Sequence, residues 1–182
     1  MIAEKETLKF VKEEDGIQVR SVWDENNNLV TYAEYRLMGV VPEAMKYYFD
    51  NWATEVLKVN PILLKAAVID HAEGFEIVRY DSKVPWPLDT RVFFSLRSVR
   101  TIKPGFEYMM LMTSTGVDSF IEKHFSDPKE KKGHVVGNVF IVCNLVKAVT
   151  DAKSQVTGID ITYLFSVNPG GSIPKSLSEG QG

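Results

Sequence analysis

The chain has 182 residues, a net charge of −3 and a sequence pI of about 5.7, with 11% aromatic residues. A chain of this length can bury about 70% of its unfolded surface without disulfide staples, so we predict one domain over residues 1–182. The aromatic content excludes a mainly disordered chain. The lack of basic excess charge argues against nucleic acid as a partner.

Cys143 is the one cysteine of the chain, so no internal disulfide can form, which is typical of a reducing compartment. No apolar run reaches the roughly 18 residues of a membrane-spanning helix, and the N-terminal sequence lacks the apolar centre of a signal peptide. We therefore expect a cytoplasmic location.

The chain opens with strand patterns. Leu8, Phe10 and residues 17–23 predict a hairpin, which is split by turn residues at 13–16. A turn at 25–28 leads into a third strand over 29–41. Pro42 suits the first position of a helix over 42–51, and a second short helix over 54–59 stops before Pro61.

Strand patterns fill the rest of the chain, over 64–71, 75–82, 91–101, 106–115, 135–150 and 154–167. The order of three strands, two short helices and six strands predicts an α+β fold with a long, curved antiparallel sheet of about nine strands.

The strand over 91–99 follows a proline-rich turn that contains Pro85-Trp86-Pro87. Alternation places Arg91, Phe93, Ser95, Arg97 and Val99 on one face, and Val92, Phe94, Leu96 and Ser98 on the other. Two interpretations stay open: the arginine face is solvated, or it points into an apolar cavity and meets the polar end of a ligand.

Two further segments have both a structural and a functional interpretation. Residues 106–112 (FEYMMLM) contain three methionines, which either fill gaps in a core or adapt to a ligand. The connection over 117–133 is long for a link between strands and is either a solvated loop or a functional lid.

Signals for catalysis are weak. His71, His124 and His134 lie far apart in the sequence, and neither a metal-ligand spacing nor a nucleophile elbow is present. The mid-strand position of Cys143 favours a buried, inert thiol. We predict no catalytic residue, no cofactor and no metal site.

The chain resembles a START domain, the lipid-transfer module with a helix-grip fold. The resemblance covers residues 8–177 and rests on Tyr80-Asp81, on residues 85–88 (PWPL), on the strand 91–97 and on residues 167–174 (VNPGGSIP). It implies a U-shaped sheet around a tunnel, with 117–133 as a mobile rim and a C-terminal helix as the lid.

The sequence departs from the family pattern at several positions. Val92 and Asn168 each stand where the family commonly has aspartate. Residues 175–182 are too few for the family's long lid helix, and the usual N-terminal helix is missing. Two explanations fit: the chain is a fragment, or something else covers the open side, such as a second copy of the chain.

The resemblance also implies the site. Arg97 would anchor the polar end of a lipid and pair with Asp81, because a buried guanidinium needs a partner; Arg79 and Arg91 are second choices. The predicted lipid-contacting residues are Asp81, Arg91, Phe93, Ser95, Arg97, Tyr108, Met110, Met112, Ile141, Cys143 and Tyr163.

We therefore expect a non-enzymatic domain that binds or transfers one lipid or sterol. It would touch membranes transiently through the 117–133 rim, where Phe120, Ile121 and Phe125 would enter the membrane and Lys129, Lys131 and Lys132 would lie near anionic headgroups. The alternatives are a lipid-sensing interaction module and, on fold analogy alone, a small-molecule enzyme.

Overall fold

The structure is a computed structural model that describes residues 9–14, 17–23, 28–84 and 87–171, with only the backbone at 9–14, 23 and 29. The described residues form ten strands and four helices. Their bounds are β1 Lys9–Glu14, β2 Ile17–Trp23, β3 Leu29–Met38, α1 Pro42–Asp50, α2 Trp52–Val59, β4 Leu63–Ala72, β5 Phe75–Ser82, β6 Thr90–Lys103, β7 Glu107–Thr113, α3 Asp118–His124, α4 Pro128–Lys131, β8 His134–Val136, β9 Asn138–Thr150 and β10 Val156–Asn168.

Nine of the strands form one path in the order β1-β2-β3-β10-β9-β7-β6-β5-β4, and β8 pairs in parallel with β6. The pairs β1–β2, β2–β3, β4–β5 and β5–β6 are antiparallel. The prediction of an α+β fold, with an antiparallel sheet of about nine strands and two short helices after the third, is confirmed.

The chain divides into two compact units. Unit 1 contains the described parts of residues 1–50, 99–111 and 141–166, and unit 2 those of 51–98, 112–140 and 167–182. Strands β6, β7, β9 and β10 have residues in both units. The organisation as a single domain stays a prediction.

Unit 1 contains the N-terminal strands and α1. Phe49 on α1 is fully buried, and its ring centroid lies 6.1 Å from that of Tyr48. Arg36 on β3 donates two hydrogen bonds, of 2.6 and 2.8 Å, to the carboxylate of Asp160 on β10. Both side chains of this ion pair are about half exposed, at 57% and 47%, so the pair contributes little stability.

The insertion over 117–133 is more ordered than a loop, because it forms α3 and α4. The side chain of Asp127 caps α4 by accepting a hydrogen bond of 2.8 Å from the backbone N–H of Lys129, and Pro128 starts the helix. The rim predicted from the sequence is therefore a pair of short helices.

The strand predicted over 135–150 is two strands, β8 and β9, which are separated at Gly137. A Cβ atom on Gly137 would lie 2.3 Å from Cε1 of Phe93, and the Gly137 N–H donates to the carbonyl of Val92 at 2.9 Å. Only glycine lets the chain pass this close to the aromatic ring. At this point β8, which pairs with β6, ends, and β9, which lies between β7 and β10, begins.

Several predictions concern residues outside the described ranges. They include Leu8 of the first hairpin, the turn centres at 15–16 and 24–27, Pro85 and Trp86 of the proline-rich turn, and the missing lid helix at 175–182. Self-association at the uncovered side depends on the last of these, so it also stays a prediction.

Candidate functional site

The pairing of β5 with β6 defines two faces in unit 2. Glu76 lies opposite Arg97, Val78 opposite Ser95, and Tyr80 opposite Phe93. Residues directly opposite each other in an antiparallel pair share a face, and alternate residues change face. The Arg97 face therefore consists of Glu76, Val78, Tyr80, Ser82, Arg91, Phe93, Ser95 and Arg97. The Arg79 face consists of Ile77, Arg79, Asp81, Val92, Phe94 and Leu96.

Arg97 is 3% exposed, and its Nη1 donates a hydrogen bond to Oε2 of Glu76, whose side chain is 31% exposed. The predicted pair of Arg97 with Asp81 is therefore wrong. The register places Asp81 opposite Val92 on the Arg79 face, whereas Glu76 lies directly across from Arg97. Cross-strand neighbours on one face are the side chains that can meet.

One aromatic ring contacts Arg97, and two more rings continue the packing from it. The guanidinium carbon of Arg97 lies 5.8 Å from the centre of the Trp52 ring, in a cation–π contact. Trp52 packs edge-to-face on Tyr80 at 5.7 Å, and Tyr80 stacks on Phe93 at 5.0 Å. Arg97 is therefore a paired cation in contact with Trp52 of α2, which packs in turn on Tyr80 and Phe93 of the Arg97 face.

Ser95 lies between Phe93 and Arg97 on the same face and is fully buried. Its hydroxyl has no hydrogen-bond partner among the described residues. A buried hydroxyl without a partner costs folding free energy, so it is a candidate contact for the polar end of a ligand.

Arg91 also belongs to the Arg97 face and is 2% exposed. Its Nη1 donates a hydrogen bond of 2.5 Å to the carbonyl of Asp89, whereas its Nε has no partner within the described part of the chain. Burial lowers the pKa of Arg91, and the nearby Asp89 charge opposes this shift.

The Arg79 face carries a second buried ion pair. Arg79 donates two hydrogen bonds to Asp81, of 2.9 and 3.1 Å, and a third to Glu130 of α4. Its guanidinium carbon lies 5.7 Å from the Phe94 ring and 5.1 Å from the Phe125 ring. Burial lowers the pKa of Arg79, but the two carboxylates outweigh burial and raise it overall.

The α3 segment covers the Arg79 face with apolar side chains. Val92, Phe94, Val117 and Phe125 form a buried cluster, against which Ile121 packs in part. Phe125 is 2% exposed and packs within this cluster, and its predicted contact with a membrane stays a prediction. Phe120 is half-buried, whereas Lys129, Lys131 and Lys132 are exposed.

The other predicted lipid contacts lie mainly in unit 1. Burial alternates along β7, and Tyr108, Met110 and Met112 share its more buried side. Of these three residues, Met112 belongs to unit 2. Ile141 and Cys143 on β9 are half-buried, as is Tyr163 on β10. Burial raises the pKa of the Cys143 thiol, which keeps it protonated and unreactive.

Three tyrosines interact in unit 1. Burial raises the pKa of Tyr163, and nearby Tyr35 and Tyr48 raise it further. The Tyr163 ring also stacks on Phe165 at 6.0 Å. A tyrosine is protonated at physiological pH even at its usual pKa of about 10, so the Tyr163 hydroxyl can donate a hydrogen bond there.

Sequence reasoning missed Glu76, Trp52 and Tyr80 on the Arg97 face, and Glu130 on the Arg79 face. The spacing of Arg79 and Asp81, two residues apart on one strand, was a usable signal for their pair. No comparable signal existed for Glu76, because its contact with Arg97 depends on the register between two strands.

The described residues offer neither a metal site nor a membrane-spanning helix. No group of three or more histidine, cysteine, aspartate or glutamate side chains there could hold a metal ion. No described helix is both long enough and apolar enough to cross a membrane.

The chain is similar in fold to a number of solved structures, among them the following three. Human STARD10 has a TM-score of 0.73 and 18% identity, over 97% of this chain and 67% of that one. The lipid transfer and protein localization domain of human StarD13 (DLC2) has a TM-score of 0.69 and 17% identity. The match covers 95% of this chain and 80% of the StarD13 chain. A STAR-related lipid transfer protein of Xanthomonas axonopodis has a TM-score of 0.64 and 20% identity. The match covers 94% of this chain and 87% of the bacterial chain.

No protein-family model matches the sequence, and no curated protein matches it either. At identities of 17 to 20%, the structural similarity shows the fold. Because it spans 94% or more of the chain in each case, this chain has the fold of a START domain.

Proposed function

We propose that this chain is a lipid-binding domain that holds one lipid or sterol molecule and carries it between membranes without catalysis. Two of the similar structures are named as lipid transfer proteins or domains, which supports this function for the shared fold. The observation that carries the proposal is buried Arg97, which pairs with partly exposed Glu76 and contacts Trp52, the first of three aromatic rings packed in a row.

In this proposal, the Arg97 face holds the polar end of the lipid. Glu76 already balances the charge of Arg97, so a phosphate would have to displace this carboxylate. A neutral hydroxyl can instead join the pair and bond to Ser95, whose own hydroxyl has no partner among the described residues. The site therefore favours a sterol or another lipid with a neutral hydroxyl end over a phospholipid.

The proposed contacts of the lipid chain are apolar. Trp52 lies beside Arg97, and Tyr80 and Phe93 extend this row of rings along the sheet. Every methylene of the lipid kept out of water contributes about 0.8 kcal/mol. Asp81 is not one of the proposed lipid contacts, because it lies on the opposite face and accepts hydrogen bonds from Arg79. Contacts from Arg91, Tyr108, Met110, Met112, Ile141, Cys143 and Tyr163 stay predictions from the sequence.

The proposal includes transient docking on a membrane through α3 and α4. Phe120 supplies an apolar contact, and the exposed Lys131 and Lys132 attract anionic headgroups. Ile121 contributes less because it packs in part against the buried cluster. A cytoplasmic location is also part of the proposal and rests on the single free cysteine.

Native mass spectrometry of the purified chain, followed by solvent extraction, tests the proposal. We expect one lipid mass per chain, and a loss of that mass in Arg97→Leu. Arg36→Leu is the matched control, because it removes an arginine from an exposed ion pair and should keep the lipid.

Removing Arg97 leaves Glu76 without its ion-pair partner and could disturb folding, so the double variant Arg97→Leu with Glu76→Leu is measured as well. Loss of lipid from this variant while its circular dichroism matches the wild type supports the anchor. A wild-type chain that carries no lipid after incubation with mixed liposomes would contradict the proposed function.

A further inference from the structure

An exposed apolar tip lies where α2 turns into β4. Four of its side chains are strongly exposed: Leu57 at 40%, Val59 at 67%, Ile62 at 55% and Leu64 at 57%. They fall within eight consecutive residues, whereas Trp52 and Val56 on the same helix are buried. Apolar side chains clustered this densely on a surface are typical of an interaction site.

Hydrogen bonds hold the tip in shape. The side chain of Asn60 accepts a hydrogen bond of 3.2 Å from the N–H of Ile62, and the N–H of Asn60 donates to the carbonyl of Val56 at 2.9 Å. Pro61 restricts the backbone between them. The N–H of Lys83 donates to the carbonyl of Ile62 at 2.8 Å, which attaches the tip to the end of β5.

The charges around the tip are basic. Residues 56–69 contain two lysines and no acidic residue. Lys58 pairs with Glu55, and its side chain stays 60% exposed. Lys65 and Lys83 are exposed, and no carboxylate of the described residues forms an ion pair with them. Asp81, which lies opposite Lys65 in the strand register, is bound by Arg79.

We infer that this tip docks on an anionic membrane surface, with Val59 and Ile62 inserted among the lipids and Lys65 and Lys83 beside the headgroups. Apolar side chains flanked by lysines match the layers of such a surface, which is apolar below and negatively charged at the headgroups. The inference rests on the proposed lipid-carrying function and adds a second contact, separate from α3 and α4.

Co-sedimentation with vesicles tests the inference on the full chain. Vesicles of phosphatidylcholine with phosphatidylserine are compared with vesicles of phosphatidylcholine alone. Ile62→Asn should weaken binding to the mixed vesicles about tenfold. The variant loses the free energy that the wild type gains when the apolar Ile62 side chain moves from water into the membrane. Val59→Ser should act in the same direction.

The control is Ile102→Asn, because Ile102 is 50% exposed and lies at the end of β6, away from the tip in sequence. It should bind vesicles as the wild type does. The double variant Lys65→Gln with Lys83→Gln should lose the preference for phosphatidylserine and keep the weaker binding to phosphatidylcholine. Equal binding by Ile62→Asn and Ile102→Asn would overturn the inference.

Lipid occupancy by native mass spectrometry separates this inference from the proposed function. Ile62→Asn should keep its lipid, since the tip is outside the Arg97 face. A wild type with no lipid that still docks through Ile62 contradicts only the proposed function. A dimer that Ile62→Asn dissociates, without any vesicle binding, would assign the tip to a second copy of the chain and overturn membrane docking.

Discussion

Two arginines on neighbouring strands are buried in different ways. Arg97 forms an ion pair with the carboxylate of Glu76, which is partly exposed. Arg79 forms ion pairs with Asp81 and Glu130, and its guanidinium lies over two aromatic rings. Asp81 is itself 7% exposed, so its charge is stabilised inside unit 2 mainly by Arg79. Arg79 therefore has a structural role, whereas a role for Arg97 in ligand binding stays a proposal.

This difference predicts the effect of Arg79→Met on stability. The variant leaves Asp81 buried without its bidentate partner, and breaking a buried pair from one side costs about 3–5 kcal/mol. Chemical denaturation should show this loss in the free energy of unfolding. Arg36→Met, which breaks the exposed pair with Asp160, should cost less than about 1 kcal/mol. Equal losses in the two variants would show that Arg79 is not a structural anchor.

Helix α3 contacts the sheet in two ways: Phe125 packs in the buried cluster, and polar side chains of α3 contact Asp70 on β4. Asp70 on β4 accepts a hydrogen bond of 2.7 Å from Lys123 and lies 3.4 Å from Nε2 of His124. The bond from Lys123, the backbone N–H of His71 and then His124 lower the pKa of Asp70 from 3.8 to about 2. The charged carboxylate is thus the form that the folded chain favours.

The sign of this shift predicts a pH dependence. Because the pKa of Asp70 is lower in the folded chain, its contribution to stability is complete above 3.8 and disappears as the pH falls toward 2. The difference in free energy of unfolding between wild type and Asp70→Asn should shrink over that window. In an NMR titration, Lys123→Met should raise the pKa of Asp70.

Lys129→Met is the control for this titration, because Lys129 lies exposed on α4 and should leave the pKa of Asp70 unchanged. If Lys123→Met also leaves it unchanged, the contact between α3 and β4 does not exist in solution.

At the scale of the whole molecule, the proposed lipid should act as a stabilising ligand. A ligand that binds only the folded chain adds about 2.7 kcal/mol at a concentration 100 times its Kd. We therefore expect the Tm of the delipidated chain to rise when sterol is added, as measured by differential scanning calorimetry. Arg97→Leu should remove most of this rise, and Arg36→Leu should keep it.

An increase in Tm of the same size in Arg97→Leu would show that lipid stabilises the chain without the Arg97 face. The proposed position of the polar end would then be wrong, although lipid binding itself would stand.

The elements were predictable from the sequence because their signals are local. Pro42 starts α1, and alternation defined the strand that contains Arg97. Tyr108, Met110 and Met112 share the more buried side of β7, and their contact with a lipid stays a prediction. The predicted side-chain partners were less reliable, and Asp81 as the partner of Arg97 was wrong. Because both faces of β6 are buried, the alternation of residue types could not indicate which face carries which contacts.

The sequence by itself determined the fold class and the order of the main strands and the first two helices, but not α3, α4 or the division between β8 and β9. Turn residues, prolines and alternating side chains act over a few neighbouring residues, which is why these signals were readable. Only the tertiary structure decided that Glu76 meets Arg97, since a shift of one residue between β5 and β6 would exchange every partner. It also decided that Phe125 is covered and Ile62 is exposed, because burial depends on contacts between residues far apart in the chain.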